Sequence, residues 1–542
     1  MGEKKPNLVY QKNKKSGVVY VYEDHPYWDP QIKQSRSKRT CIGKLDPHTG
    51  NVVPTRGRRK SKPKVPEEET QVENSLLGAV SRKFYGATYL LDSIGDKLGI
   101  VDDLRFCFPD DYEQILSVVY YLIMEDKNPL FRFEKWGAIH KHPYGHDIPS
   151  QRSSELLASI TPDAQAEFFR RQGKRRIEKE YWAYDTTTIS SYSETLLQVQ
   201  YGKNRGGRRL PQIKLLLVFG EESRLPFYYR KLAGNTPDSK TVKNYLAELD
   251  VLGLHKTKMV MDRGFYSAEN INGLYKDHIK FLIGAKISLT FVRQALDEVY
   301  DKIRSFEHYS PKHDVYGYTV PSEWNYEQAR PYKGDVLKET RRIYIHLYYN
   351  IGKAAEDERK MDLFLATLQD ELLNDKLEES HKKQYAKYFD VKRTPKRGIR
   401  VTPKEDAIRD AKRYYGFFAL ITNEKMDALT ALELYRAKDV VEKAFGNLKD
   451  RLNLHRTFVS SEQTLDGKMF VEFIALIYLS YINKCMQDQG LYREYTLNQL
   501  LDKLDIIECF EYLGKKMRVG EVLEKQRDLF LALGVDPPTS IG

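Results

Sequence analysis

The middle of the chain alternates short apolar runs with amphipathic stretches. KEYWAYD (residues 179–185), IKLLLVFG (213–220) and PFYYRKLAG (226–234) read as three strands. A helical pattern from Ser239 to Leu252 comes next, then the strand KMVMD (258–262), a helix near Ala268 to Lys276 and the strand KFLIGAK (280–286). Three strands in succession, followed by an alternation of helix and strand, predict an α/β architecture: a mixed sheet with helices on both faces.

That order of elements is the order of a ribonuclease H-like fold. The segment from about Ser288 to Arg413 breaks the alternation, with the strand-like RRIYIHLYY (341–349) and a charged helix in which Met361, Leu365, Leu368 and Leu372 recur at helical spacing. It is expected to be an inserted α+β domain. YGFFALITN (415–423) resumes the sheet, a helix is predicted from about Ala431 to Leu452, and an apolar helix from Gly467 to Cys485. Ahead of the sheet the pattern is helical from Asn74 to about Lys174. The N-terminus reads as a small β unit, with GVVYVYE (17–23) and two short strands between Thr40 and Pro54 around the turn-rich Asp46 to Asn51. PTRGRRKSKPKVPEEET (54–70) has no apolar periodicity and marks a linker. The expected organisation is a β unit and linker over 1–70, a helical domain over 71–176, the α/β domain in two parts over 177–287 and 414–490, the insertion over 288–413, and a helical tail over 491–542.

At 542 residues the chain is long enough for more than one hydrophobic core. Its longest apolar runs fall short of the roughly 20 residues of a membrane helix, and its first thirty residues are too polar for a signal peptide, so no membrane partner is expected. Cys41, Cys107, Cys485 and Cys509 are scattered, with no C-x-x-C pair, which suits a reducing interior and predicts a cytoplasmic protein. Charge adds the first positive clue. The chain carries 88 Lys and Arg against 76 Asp and Glu, a net +12, and residues 1–70 alone hold 16 basic against 8 acidic residues. A polyanionic partner, nucleic acid, is one reading of such an arm; a merely solvated arm is the other.

Asp185 in AYDTTT and Asp262 in MDRGF both stand where a predicted strand runs out into polar sequence, the position at which open α/β sheets present their chemistry. Asp is also common in turns, so either residue alone is weak; two on one predicted sheet point to a site. Thr430 and Glu433 fit a capping box that would start the last sheet-covering helix at Ala431. At about 100° per residue, Tyr435, Lys438, Glu442 and Lys449 then share one face, beside an apolar stripe of Val441, Phe445, Leu448 and Leu452. Three carboxylates converging from two strands and a helix would hold hard cations such as Mg²⁺ or Mn²⁺. A pair of such ions serves in-line attack on phosphorus. Polynucleotidyl transfer is the chemistry this set serves, and a metal-dependent nuclease or a DNA-binding protein without catalysis remains open on these residues alone.

YDTTT with Asp185, GNTPDS with Asn235 and Asp238, MDRGF with Asp262, and Y-(2)-K-(3)-E-(6)-K with Tyr435, Lys438, Glu442 and Lys449 resemble the DDE transposases of bacterial insertion sequences. The similar branch carries the signature Y-(2)-R-(3)-E-(6)-K; Lys438 stands where it has arginine, replacing a planar fork by a point charge. The resemblance spans roughly Lys179 to Gln487. It implies that Asp185, Asp262 and Glu442 are catalytic ligands of two Mg²⁺ or Mn²⁺ ions and that Tyr435, Lys438 and Lys449 contact the phosphates of the transposon ends. It further implies a homodimer or larger synaptic assembly on double-stranded DNA, both transposon ends and target, in a bacterial or archaeal cytoplasm. The basic N-terminal unit and the helical domain would recognise the ends.

Two further signals are weighed. The loop KNRGGRR, with Arg205, Arg208 and Arg209, either grips phosphate or is solvated. His140, His142, His146 and Asp147 crowd together, but their spacing lacks cysteine partners and Pro143 and Gly145 make the stretch loop-like, so zinc is not expected there.

Overall fold

The structure is a computed structural model. It describes residues 7–53 except 14–16, 30–33 and 48, and residues 80–539 except 126–127, 176–179, 191–198, 204–208, 255–256, 331–332, 395–397, 439–445, 447–460 and 513–515. The chain divides into two compact units, Met1–Gly78 and Ala79–Gly542.

The first unit is an antiparallel sheet of β1 (Asn7–Lys12), β2 (Val19–Asp29), β3 (Gln34–Leu45) and β4 (Val52–Val53) in sequential order. The predicted linker, 54–70, lies outside the described residues.

The second unit opens with β5 (Val80–Phe84) and six helices: α1 (Gly86–Lys97), α2 (Ile100–Cys107), α3 (Tyr112–Met124), α4 (Phe133–Gly137), α5 (Ser150–Ser159) and α6 (Pro162–Lys174). Thr161 caps α6 by accepting from the Ala164 amide, with Pro162 in the first turn, where its missing N–H costs nothing. Two of the histidines of this region, His140 and His142, are tied into its core. His140 stacks on Trp136 and bonds the Trp136 carbonyl and Asp505, and His142 bonds the Ser117 hydroxyl.

The sheet region contains β6 (Tyr181–Ser190), β7 (Gln200–Lys203), β8 (Arg209–Gly220), β9 (Pro226–Ala233), α7 (Asp238–Val251), β10 (Lys258–Met261), α8 (Ala268–Lys276) and β11 (Lys280–Ala285). β6, β8 and β9 form an antiparallel meander, while β6, β10 and β11 are parallel, so the local order is β9-β8-β6-β10-β11. β7, absent from the sequence reading, pairs with the first residues of β8, on the edge that β9 continues. Residues 259–261 of β10 and 281–283 of β11 are fully buried on both faces, as central parallel strands require.

After α9 (Thr290–Val299), the segment expected as an insertion feeds strands into this sheet. β12 (Tyr309–Ser310), β13 (Val315–Arg330) and β14 (Asp335–Tyr349) extend it, and β14 pairs with β17 (Phe417–Thr422), which in turn pairs with β11. Between β14 and β17 come α10 (Ile351–Leu373), α11 (Lys382–Tyr388), β15 (Phe389–Thr394), β16 (Gly398–Pro403) and α12 (Glu405–Lys412), with a small core of their own around Leu368, Tyr385 and Phe389.

α13 (Ala428–Ala437) covers one face of the sheet, where Ala428, Ala431 and Leu432 pack with Tyr181, Val260, Leu282 and Leu420. The other face shares a core with α14 (Glu462–Asp488), a helix longer than the predicted Gly467 to Cys485. By length and composition α14 could cross a membrane, but 78% of its most apolar window is buried inside this unit. Gly467 lets it touch α5, since a Cβ there would lie 1.8 Å from the Leu157 carbonyl oxygen. The tail adds α15 (Leu497–Asp505), β18 (Glu508–Tyr512), β19 (Arg518–Val519) and α16 (Glu524–Ala532). β18 pairs with β5 along its whole length and α15 packs on α1, so the tail completes the helical region.

Two core histidines make stability depend on pH. Burial pushes His142, beside Lys83, and the fully buried His346 of β14 down to about 4. Unfolding returns both to the ordinary value of about 6.5, so between these limits the unfolded chain binds more protons and stability falls as the pH falls. The buried Glu472 and Asp92, raised by burial to about 8 and about 6, act in the opposite direction over the same range, so the histidine contribution is read by comparing proteins. Between pH 7 and pH 5 the urea midpoint of His346→Gln should fall less, or rise more, than that of the wild type; identical changes would show that His346 does not contribute.

Candidate functional site at the sheet edge

Register places the two aspartates. Tyr184 of β6 lies opposite Met261 of β10, and Met261 opposite Ile283 of β11. The next residue on each strand therefore continues one row, Asp185, Asp262 and Gly284, across three parallel neighbours about 4.8 Å apart. Asp262 stands just past the end of β10, whereas β6, expected to end at Asp185, runs on to Ser190 because residues 186–190 pair with β8. Side chains alternate along a strand, so this row shares the face of Tyr181, Val260 and Leu282, the face covered by α13. Asp185 is buried and accepts from the Thr186 amide at 2.7 Å.

α13 brings the other groups. Asp427 caps it, accepting from the Leu429 and Thr430 amides at 2.9 and 3.0 Å, three residues before the expected Thr430 cap. Aspartate takes the position because its carboxylate also receives the Thr430 hydroxyl, and Glu433 instead turns outward to pair with Lys312 and His313. The first turn is fastened to the added strands, where the Tyr348 hydroxyl of β14 donates to the Ala428 carbonyl at 2.6 Å. From this anchored start the Tyr435 hydroxyl donates to Asp262, and the buried Lys438 ammonium lies 3.5 Å from the same carboxylate oxygen.

Burial alone would raise the Asp262 carboxyl, but the Tyr435 hydroxyl, the Lys438 charge and the Arg263 amide outweigh it and hold the group below its ordinary value, ionised at neutral pH. Tyr435 is pushed far up by its own burial and by the negative charge of Asp262, with Asp185 adding to the effect.

Gly284 is what allows this contact. A Cβ there would meet the Tyr435 hydroxyl at 2.9 Å and the Arg263 amide nitrogen at 3.0 Å. Its signal in the sequence was a glycine inside an otherwise apolar strand, FLIGA, which marks a close approach of another group.

A second network braces the row from α7. Asp238 Oδ1 accepts from Lys214 at 2.7 Å and from the Thr186 hydroxyl at 2.8 Å, while Lys214 also donates to the Thr236 carbonyl at 2.5 Å. A Cβ on Gly264, two residues past Asp262, would stand 3.4 Å from Asp238 Oδ2. Asp238 thus holds the Thr186 side chain beyond one site aspartate and faces the loop beyond the other. The sequence displayed it in GNTPDS without disclosing this role; Lys214, inside an apolar strand, was not singled out.

Asp185, Asp262, Tyr435 and Lys438 are therefore brought together. Glu442, Lys449, Arg205 and Arg208 lie outside the described residues, and of Arg209 only its backbone place opposite Lys203 at the start of β8 is described. Among the described residues no three His, Cys, Asp or Glu cluster closely enough to hold a metal ion. The two adjacent carboxylates nonetheless fit part of a shell for a hard divalent cation, whose preferred donors are oxygens.

A mixed α/β sheet with two carboxylates in one row, met by a tyrosine and a lysine from a covering helix, defines the class of protein. The family model described as Transposase DDE domain matches residues 178–478, more than half of the 542-residue chain, and the chain belongs to that family of DNA-cleaving and DNA-transferring enzymes. Among solved structures, a cryo-EM structure of the piggyBac transposase synaptic complex with hairpin DNA is similar at a TM-score of 0.32 and 11% identity, covering 77% of this chain and 70% of that one. No curated protein matches the sequence.

The approach of Tyr435 to Gly284 can be measured in a double-mutant cycle. Gly284→Ala should destabilise the protein by about 1–3 kcal/mol through overpacking. In a Tyr435→Phe background, which removes the crowded oxygen, the same change should cost about 1 kcal/mol less. Equal costs in both backgrounds would place the strain elsewhere.

Proposed function

We propose that this protein is the transposase of an insertion sequence, a metal-dependent polynucleotidyl transferase that binds the terminal inverted repeats of its element and catalyses strand cleavage and strand transfer. The observation that carries the reading is the row of Asp185 and Asp262 on adjacent parallel strands, with Tyr435 and Lys438 bonded to Asp262. The order β9-β8-β6-β10-β11, three antiparallel strands followed by two parallel ones, supports a ribonuclease H-like catalytic sheet.

In this reading Asp185 and Asp262, with Glu442 as the third carboxylate, hold Mg²⁺ or Mn²⁺, two ions in all. Such ions supply activation of a water or 3′-hydroxyl and stabilisation of the leaving oxygen. The protein's own part is placement. Strand register keeps the two carboxylates side by side, Tyr435 and Lys438 keep Asp262 ionised, and Asp238 with Lys214 holds the Thr186 side chain next to Asp185. Tyr435 and Lys438 stand within reach of any phosphate entering beside Asp262, and Lys449 and the loop with Arg205, Arg208 and Arg209 would contact phosphates further along. The partners are double-stranded DNA, as element ends and as target, and a second copy of the chain in a dimer or larger synaptic assembly. The basic first unit and the helical region would recognise the ends, and the work would be done in a bacterial or archaeal cytoplasm.

Asp185→Asn, Asp262→Asn and Glu442→Gln keep side-chain size and remove the charge that holds a divalent cation. Each should abolish cleavage and joining of DNA carrying the element's own ends while binding in a gel-shift assay persists, because binding rests on phosphate contacts elsewhere. Wild-type activity should require Mg²⁺ or Mn²⁺. Full cleavage by Glu442→Gln, or cleavage in EDTA, would overturn the mechanism; cleavage without any joining would make the protein a nuclease.

A further inference from the structure

Positive charge is concentrated in a second place besides the first 70 residues. Residues 374–404 carry ten Lys and Arg against four Asp and Glu, a net +6, and residues 1–70 a net +8, so against a total of +12 the rest of the chain is net negative. The second stretch is α11 and the β15–β16 hairpin. Its base is fixed: Tyr385, Tyr388 and Phe389 pack with Leu368 and Leu372 of α10 and Ile408 of α12.

The hairpin register sorts its side chains. Asp390 faces Thr402, Lys392 faces Arg400 and Thr394 faces Gly398. Directly opposed residues of an antiparallel pair project from the same face, and this face is exposed at all six positions. The alternate face carries Val391, Ile399 and Val401, and Val401 packs against the small core. Lys392 and Arg400 thus form a like-charged cross-strand pair, an arrangement that destabilises a hairpin unless something anionic covers it. Neighbouring cations are satisfied inside the protein, Arg393 by Asp375 and Lys404 by Asp390. Lys392 and Arg400 have no ion-pair partner among the described residues, and the exposed Lys382 and Lys383 of α11 have none either.

We infer that the exposed Lys392 and Arg400 face of the β15–β16 hairpin docks the phosphate backbone of duplex DNA without regard to sequence. The inference rests on the proposed DNA-processing function and adds to it a contact remote in sequence from the Asp185 and Asp262 row. Charge complementarity selects the occupant: a narrow two-stranded ribbon with cations along one face matches a regular line of phosphates, and such contacts position a protein on DNA while reading no bases.

The test measures binding of the full-length protein to a duplex of arbitrary sequence, by fluorescence anisotropy over a range of salt concentrations. Each cation that neutralises a phosphate contributes about 0.9 to the slope of log K against log salt. Lys392→Ala/Arg400→Ala should therefore flatten the slope by about 1.8. Lys392→Arg/Arg400→Lys, which keeps both charges, should retain the wild-type slope, and matching thermal melts for the three proteins establish that the fold is intact. A double-alanine slope equal to the wild-type slope overturns the hairpin assignment alone. A wild-type protein that shows no affinity for duplex DNA overturns this assignment and the transposase reading together. If the difference in slope is present but the wild type never cleaves or joins DNA, the transposase reading fails and the hairpin contact stands.

Discussion

The site depends on the parallel pairing of β6 with β10 in a single register. Because Tyr184 is opposite Met261, Asp185 and Asp262 follow side by side on the same face. A slip of one residue would turn one carboxylate to the opposite face of the sheet. What prevents the slip is burial on both faces: Trp182 and Met261 are committed to one core, Tyr181 and Val260 to the other. The site's geometry is therefore paid for by hydrophobic packing well below it. α13 adds to a row that the strands have already set, reaching it through the gap at Gly284.

Much of this was legible because the sheet strands are continuous apolar runs that end abruptly. KMVMD declares both a buried strand and the polar residue at its end, and β10 stops just before Asp262. KEYWAYD declares the start of β6, but that strand runs past Asp185 to Ser190, because the polar residues 186–190 pair with β8. The start of α13 was misjudged because Thr430 with Glu433 imitates a capping box, whereas the competing Asp427 lay just upstream and its carboxylate takes both amides. β5 and β18 were missed because each is short and becomes a strand only by pairing with the other, 426 residues away. The link between Asp238 and Lys214 was illegible for the same reason: a hydrogen bond across the end of a sheet leaves no local pattern in sequence.

The segment between α9 and β17 has two physical characters. Its β13 and β14 are hydrogen-bonded members of the central sheet, and Tyr348 fastens α13, so these strands belong to the scaffold of the site. The lobe from α10 to α12 has a separate small core and carries the exposed cations. Charge is partitioned as well: the positive excess lies in residues 1–70 and 374–404, and the rest of the chain is net negative.

The pairing of β5 with β18 also orders events in time. The strand that opens the second unit finds its partner only near the end of that unit, and α1 waits likewise for α15. A chain emerging from a ribosome exposes the β5 edge until β18 arrives, so the helical half cannot be completed while synthesis is under way. Nascent and prematurely terminated chains are consequently left with an open strand edge, a template for aggregation and a target for proteases. For a member of a DNA-cleaving family, this topology makes synthesis as far as β18 a condition for assembling the helical half.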